Sequence, residues 1–458
     1  MSIVNNSNKF NLLRADYKEF IFESYNYAIN EQGISIVFSF KVDDFIEFNP
    51  KIEIPQQSFI DFKRISSALL EQMIFNIGMV ELISYWKAIC PKKVIIKPFN
   101  LNSKQIAFWK KIYFHGLGEF FYLNNIEIDM DNFMQIIPDT KGQNFQSFSV
   151  DVDESALIPV GGGKDSVVSL EILKDSGSNL ALIMNPRGAS SATANIGGFE
   201  DKTLIVNRFL DAKLLELNKQ GYLNGHTPFS ALLAFVSVFA AAITAKKYIA
   251  LSNESSANES TVIGTMVNHQ YSKSLEFETD FREYVRENLS PNIHYFSLLR
   301  PLSELQIASI FAKNSTYFND FRSCNVGSKE NIWCGKCSKC LFTFIILSPF
   351  IKPDVLVEIF GYNLFENRDL KGYFDELRGE ADVKPFECVG TVDEVNAALC
   401  LAIENYSTKL PYLLDLFKNE NSEKLCSKIE KEALLENIET EHYLNENYFN
   451  LLLDKLKS

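Results

Sequence analysis

Apolar and polar positions alternate over Gly33 to Val42, "GISIVFSFKV", and Lys93 to Leu101, "KVIIKPFNL", is rich in β-branched and aromatic residues; both stretches predict strands. Between them, Ser58 to Ile89 spaces its apolar residues at helical intervals and predicts a long helix. No catalytic motif falls before residue 150. That first part reads as an α/β domain supplying binding surface or shape.

From about residue 151 the pattern becomes an alternation of strand and helix. Ala156–Val160 and Asn179–Asn185 predict strands, and Lys164–Lys174 a helix. Thr203–Asn218 holds a strand and then a helix, a long helix follows Pro228, and Tyr248–Glu254 predicts another strand. Such alternation predicts a parallel sheet with helices on both faces, whose ligands bind at the carboxyl ends of the strands. A glycine-rich turn and "SNESSANES" (Ser252–Ser260) both follow strand ends. Residues 346–458 read mainly as helices, with a mixed-charge amphipathic stretch at the end. There is no internal repeat and no low-complexity linker. The divisions expected are therefore 1–150, 151–345 and 346–458.

With 458 residues, 46% of them hydrophobic, the chain can bury more than one core. Its net charge of −13 counts against general binding to a phosphate backbone, so nucleic acid is not an expected partner. The longest apolar run, Phe229 to Ala245, falls short of the roughly 18 residues that suggest a membrane span, and Pro228 before it marks a helix start. A buried helix is expected there. The first residues, "MSIVNNSNKF", carry no signal segment. The expected location is cytoplasmic, with no membrane partner; composition leaves the oligomeric state open.

The eight cysteines are not spread evenly: Cys324, Cys334, Cys337 and Cys340 cluster as C-x9-C-x2-C-x2-C. Clustering points to metal more than to a disulfide framework. Four thiolates close a tetrahedral site, so structural zinc is expected; an iron–sulfur cluster or unbound thiols are the alternatives.

"ALIPVGGGKDSVVSLEIL" (Ala156–Leu173) sets three glycines, then Lys164, Asp165 and Ser166, between strand and helix. Glycines let the backbone approach a ligand closely, and the helix start offers free N–H groups and a positive dipole end. Together they suit a phosphate. Lys164 would add a mobile positive charge, Asp165 a metal or hydrogen-bond contact, Ser166 a hydroxyl. The bland alternative is a tight turn with an exposed lysine. A Walker A loop is excluded, because Ile158 stands at its first glycine and Asp165 where Ser or Thr should follow the lysine. The dinucleotide pattern G-x-G-x-x-G fails at Ser166.

"GGGKDS" resembles the Ser-Gly-Gly-x-Asp-Ser loop of the PP-loop ATP pyrophosphatases, which implies a HUP-type parallel sheet and cleavage of ATP between its α and β phosphates. Gly161 stands where those proteins usually carry serine. A similar cysteine array follows this domain in 7-cyano-7-deazaguanine synthases. Five further stretches narrow the likeness: "LNGHTPFSALLA" (Leu223–Ala234), "LSNESSANES", "NHQYSKSLEFE" (Asn268–Glu278), "LLRPLSELQIA" (Leu298–Ala308) and "KPFECVG" (Lys384–Gly390). With the loop and the cysteines they are similar to the UDP-N-acetylmuramoyl-L-alanyl-L-glutamate epimerase family, over roughly residues 150 to 390.

The resemblance implies an ATP- and Mg2+-dependent isomerase of peptidoglycan precursor synthesis. It would convert the terminal L-Glu of UDP-MurNAc-L-Ala-L-Glu to D-Glu through an acyl-adenylate, releasing AMP and pyrophosphate. On that reading Gly161, Gly162, Gly163, Lys164 and Ser166 hold the ATP phosphates and Asp165 assists magnesium. Asn253 and Glu254 lie near metal or nucleotide, or merely cap a loop. His226 and Cys388 are acid–base candidates, against a helix-entry hydrogen bond and a buried structural thiol. His269, Tyr271, Lys273, Arg300 and Lys384 are substrate-contact candidates, against a surface loop and a structural ion pair. The rival enzyme is a PP-loop amidating or thiolating enzyme acting on a nucleobase or tRNA; a non-catalytic nucleotide sensor is a third class.

Overall fold

The computed structural model of the chain describes residues 3–262, 264–406, 409–420, 426–429 and 431–457. The strands are β1 (Glu19–Asn30), β2 (Gly33–Val42), β3 (Ile46–Phe48), β4 (Lys51–Pro55), β5 (Lys93–Ile96), β6 (Gln135–Pro138), β7 (Asp153–Pro159), β8 (Leu180–Met184), β9 (Thr203–Phe209), β10 (Lys246–Leu251) and β11 (His294–Ser297). Two compact units divide them. The first comprises Met1–Leu157, Leu204–Ile249 and Met266–Tyr295; the second comprises Ile158–Thr203, Ala250–Thr265 and Phe296–Ser458.

In the first unit β1 and β2 form an antiparallel hairpin that closes at Asn30 and Gly33. Gly33 has φ +121°, and an added Cβ would stand 2.0 Å from the Ile54 carbonyl oxygen, so only glycine fits. The alternation of β2 turns Ile34, Ile36, Phe38, Phe40 and Val42 into the core. β3 and β4 pair antiparallel with β2, and β4 pairs antiparallel with β9. β5 joins β1 in parallel, and β6 joins β5 in parallel. β7 and β10 also run parallel, as the strand–helix alternation predicts. β1 to β4 are joined by short turns, which only antiparallel neighbours can use; the parallel sheet is expected only from residue 151, and there β9 differs by pairing antiparallel with β4.

The helix Ser67–Trp86 is shorter than the pattern over Ser58–Ile89 suggests. A 3-10 turn at Phe62–Arg64 precedes it, and the Ser66 hydroxyl accepts from the Leu69 amide to set its start. It is buried on nearly all sides, and Phe75 stacks on Phe22 with ring centroids 5.5 Å apart. Its buried polar groups are matched: Glu81 meets the Arg208 guanidinium at 2.9 Å, and the Tyr284 hydroxyl donates to Asn76 Oδ1 at 2.7 Å. The apolar run after Pro228 is the buried helix Phe229–Ile243. Among the described residues no helix is long and apolar enough to cross a membrane.

The boundary between the units crosses β7, β10 and β11, so the carboxyl ends of these strands and the turns after them belong to the second unit. That unit also holds β8 and the helices Lys164–Leu173, Gly188–Ile196, Glu304–Ala312 and Ser338–Leu347. From Ser338 onward the described residues form helices and no strand. Among the described residues the terminal amphipathic stretch holds the helices Lys431–Glu436 and Glu446–Lys457. Cys400 and Cys426 are joined by a disulfide, a pairing the sequence reading did not single out.

Candidate functional site

The glycine turn lies in the second unit, between β7 and the helix Lys164–Leu173. Gly162 has φ +87°, and a Cβ there would come within 2.5 Å of the Ser190 amide nitrogen; this glycine is obligatory. Gly161 is exposed, and a Cβ added to it meets nothing within 4 Å. Gly163 is the N-cap, and no side chain caps the helix. Ser166 Oγ accepts from the Gly162 amide at 3.1 Å and donates to the Gly163 carbonyl at 2.9 Å, which fixes the turn from within.

Lys164 is a correction to the mobile cation expected. Its side chain is 3% exposed and its ammonium contacts both Asp165 and Glu304. Burial works against this ammonium, but the adjacent charges of Asp165 and Glu304 prevail and raise its pKa above the ordinary lysine value. Burial pushes the Glu304 carboxyl up; Lys164 pulls it down, while Asp165, Glu254 and Glu394 push it further up. Glu394 Oε1 accepts from the Glu304 amide at 2.7 Å, and Oε2 from the Thr391 amide at 2.7 Å. Three other carboxyl groups thus act on Glu304 beside the turn, and of these Asp165, its side chain 28% exposed, is the one open to solvent, where an oxygen donor could meet a hard divalent cation.

The other candidates of this unit have defined places. Asn253 donates to Ser297 Oγ at 3.0 Å, and Arg300, 1% exposed, donates to the Glu254 carbonyl and to Ser297 Oγ. Arg300 therefore holds the turn after β10 against the end of β11. Lys384 is buried, pairs with Glu259 and donates to the Gly390 carbonyl at 2.9 Å. Its own amide donates to the Thr261 carbonyl at 3.0 Å, so "KPFECVG" is tied to "SNESSANES". Cys388 is half-buried in this segment, and Gly390 lies against Glu304, where a Cβ would stand 3.2 Å from Glu304 Cγ.

The four clustered cysteines come together as their spacing predicts, with all four Sγ atoms within 4.8 Å of one another. The Cys324–Cys337 and Cys334–Cys340 separations are 3.9 and 3.7 Å. Tetrahedral zinc with bonds of about 2.3 Å places its sulfurs about 3.8 Å apart, so the donor set fits that ion. Gly335, at φ +63°, makes the knuckle turn, and the Gly327 and Cys340 amides donate to Cys324 and Cys337 sulfurs at 3.1 and 3.4 Å. The knuckle braces the glycine turn. The Arg322 amide donates to the Gly162 carbonyl at 2.8 Å, and Gly163 packs against Ser323, next to the ligand Cys324.

The remaining candidates lie in the first unit. His269 Nδ1 is 2.6 Å and His226 Nδ1 3.5 Å from the same oxygen of Glu119, and the rings are 4.4 Å apart. Burial, then His269 and Lys87, push the His226 imidazole down to about 3. Tyr271 is buried, with its ring 4.8 Å from that of His115, and burial pushes its phenol far above the ordinary range. Lys273 is half-buried on the same short helix, Tyr271–Lys273.

Sequence reasoning missed Glu304, Glu394, Glu259 and Glu119. Glu304 sits inside "LLRPLSELQIA", but its local setting, a Ser303–Gln306 capping box, reads only as a helix start. Glu119 carries no local signal at all.

Comparison with known proteins adds the family. Residues 12–298 match the MurL N-terminal domain and residues 320–432 the MurL C-terminal domain. A protein of Xanthomonas oryzae pv. oryzae named UDP-N-acetyl-alpha-D-muramoyl-L-alanyl-L-glutamate epimerase is 35% identical over 345 residues, 73% of this chain and 75% of its own. Proteins with the same name from a Micromonospora species and from Salinispora tropica are each 34% identical, over 74% and 73% of this chain and 76% and 74% of theirs. No solved structure matches the chain. With both domains matched and relatives aligned over about three quarters of their length, the chain belongs to the MurL family.

Proposed function

We propose that the protein is an ATP-dependent epimerase that converts the terminal L-Glu of UDP-MurNAc-L-Ala-L-Glu to D-Glu through an acyl-adenylate. Family membership and the names of its relatives support the substrate and the isomerisation. The observation that carries the ATP chemistry is the turn Gly161–Ser166, where Gly162 keeps a left-handed backbone and the helix start is left uncapped by any side chain.

The chemistry explains why an epimerase would keep such a turn. Removing the α-proton of a free carboxylate places a carbanion beside an anion, and like charges in one site are costly. Attack of the carboxylate on the α-phosphorus of ATP forms an acyl–phosphate bond and expels pyrophosphate. The charge beside the α-carbon is then gone. A base removes the α-proton, the electron pair passes into an enolate, and a proton returns to the opposite face. Water at the acyl carbon releases D-Glu and AMP.

The amides of Gly161 and Gly163 would cradle the phosphates, and Ser166, which holds the Gly162 amide and the Gly163 carbonyl, would turn its hydroxyl to them only by giving up a bond within the turn. Lys164, clamped between Asp165 and Glu304, would keep its charge fixed behind the turn, a preorganised stabiliser of leaving pyrophosphate. Asp165, the exposed carboxylate of the turn, would assist Mg2+, which neutralises phosphate charge. The cysteine knuckle, with zinc, would hold the strap Arg322–Ser323 against the turn and take no part in the reaction.

Incubation with ATP, Mg2+ and the L-Glu substrate in deuterated water is the test. D-Glu carrying α-deuterium, formed with AMP and pyrophosphate, is expected. Epimerisation without AMP would remove the adenylate from the account, and turnover only with a deazapurine acid and ammonia would favour the amidating enzyme.

A further inference from the structure

The inference concerns the first unit, where Glu119, His226 and His269 meet although about a hundred residues separate the first from the second. We propose that these three side chains form a second metal site, for a borderline divalent cation of the zinc type, separate from the cysteine knuckle. One carboxylate oxygen and two imidazole nitrogens lie within 4.8 Å of one another. Two imidazoles and a carboxylate, with a fourth position left open, are the donor set of reactive zinc sites; four-ligand structural sites leave none open. The 3.5 Å between His226 Nδ1 and Glu119 Oε2 is close to the spacing of about 3.4 Å that tetrahedral bonds near 2.1 Å require. The His269 Nδ1–Glu119 Oε2 contact, at 2.6 Å a hydrogen bond, would have to lengthen for the cation to enter.

The three segments are held together by packing that does not involve the donors. A Cβ at Gly225 would stand 3.0 Å from the Phe120 ring, so glycine there lets the His226 segment lie against the Glu119 helix, and one at Gly116, at the end of the preceding helix Ser103–Gly116, would stand 2.7 Å from Pro228. Asn124 ties the same helix to the Asn224 carbonyl at 3.2 Å. Gly118 packs on Val267, two residues before His269. Two flanking chains are therefore seated on the short helix Gly118–Leu123, which presents the carboxylate. Preorganisation of this kind is what a ligand set needs and what an incidental hydrogen bond does not.

Exposure gives the site a direction. The Glu119 side chain is 4% exposed, while those of His269 and His226 are 13% and 25% exposed. Solvent reaches the cluster past the imidazoles, so the fourth position takes water or an oxygen of an anionic ligand. Lys87, buried and bonded to the Gly225 carbonyl, opposes a cation by its charge, so the carboxylate of Glu119 has to outweigh it. The proposal is independent of the ATP chemistry.

The test uses the full chain, freed of metal by a chelator and titrated with Co2+ alone. Cobalt at thiolates gives an intense near-ultraviolet charge-transfer band; cobalt at nitrogen and oxygen gives visible bands without it. Wild type is expected to show a bound class lacking charge transfer. His269→Asn and Glu119→Gln should each abolish that class and leave the thiolate band intact, with an unchanged circular-dichroism spectrum and unfolding midpoint reporting that the variants are folded. Absence of the class in wild type, or its persistence in both variants, would overturn the proposal.

Discussion

At the scale of single residues the glycine turn makes two opposite forecasts from adjacent positions. Gly162→Ala forces a side chain into a left-handed backbone and onto the Ser190 amide, at a cost of about 1–3 kcal/mol for the backbone alone. Thermal unfolding and ATP titration should show lower stability and an affinity at least ~10-fold weaker, the latter being about 1.4 kcal/mol. Gly161→Ser has open space and should leave unfolding unchanged while retaining ATP binding. Lys164→Met leaves Glu304 buried without its cation, and should cost about 3–5 kcal/mol in urea unfolding. Lys164→Met with Glu304→Gln should recover part of that loss, because the stranded charge is gone. The loop was legible in the sequence because its glycines, lysine, aspartate and serine are consecutive. The burial of Lys164 was not, because Glu304 reaches it from another helix.

Among elements, the cysteine knuckle and the glycine turn form one mechanical unit. The backbone bond from Arg322 to Gly162 and the contact between Gly163 and Ser323 join them. A chelator strong enough to strip the cysteines should therefore weaken ATP binding as well as lower the unfolding temperature. Equilibrium nucleotide titration before and after removal, with restoration by zinc, checks this. The spacing of Cys334, Cys337 and Cys340 announces their site because a two-residue gap is a local property. His226 and His269 stand out singly in the sequence, but their meeting with Glu119 does not, since only tertiary packing joins the three. The strand β2 was readable from its alternation over Gly33–Val42, whereas β10 ends at Leu251, short of the Glu254 expected. The residues past it turn aside to meet Ser297 and Leu302.

For the molecule as a whole, strand–helix alternation gave the α/β class, and the antiparallel hairpins of the first unit escaped it because short turns leave only weak local signals. Two half-buried histidines lower stability in acid. Burial holds His115 and His294 below the ordinary value of 6.5. Below that value the unfolded chain takes up protons that the folded chain refuses, so stability falls as pH drops through about 6.5 and below. Unfolding midpoints measured stepwise from neutral to mildly acidic buffer should decline, and His294→Gln should flatten the slope.

Oxygen tracing examines the adenylate itself. The substrate's terminal α-carboxylate is labelled with 18O, and the AMP formed is weighed by mass spectrometry. One labelled oxygen in the phosphate of AMP, in step with D-Glu production, is the result predicted, because the carboxylate oxygen bridges to phosphorus and leaves with it. D-Glu formed alongside AMP that holds only unlabelled oxygen would contradict an adenylate released by water at its acyl carbon.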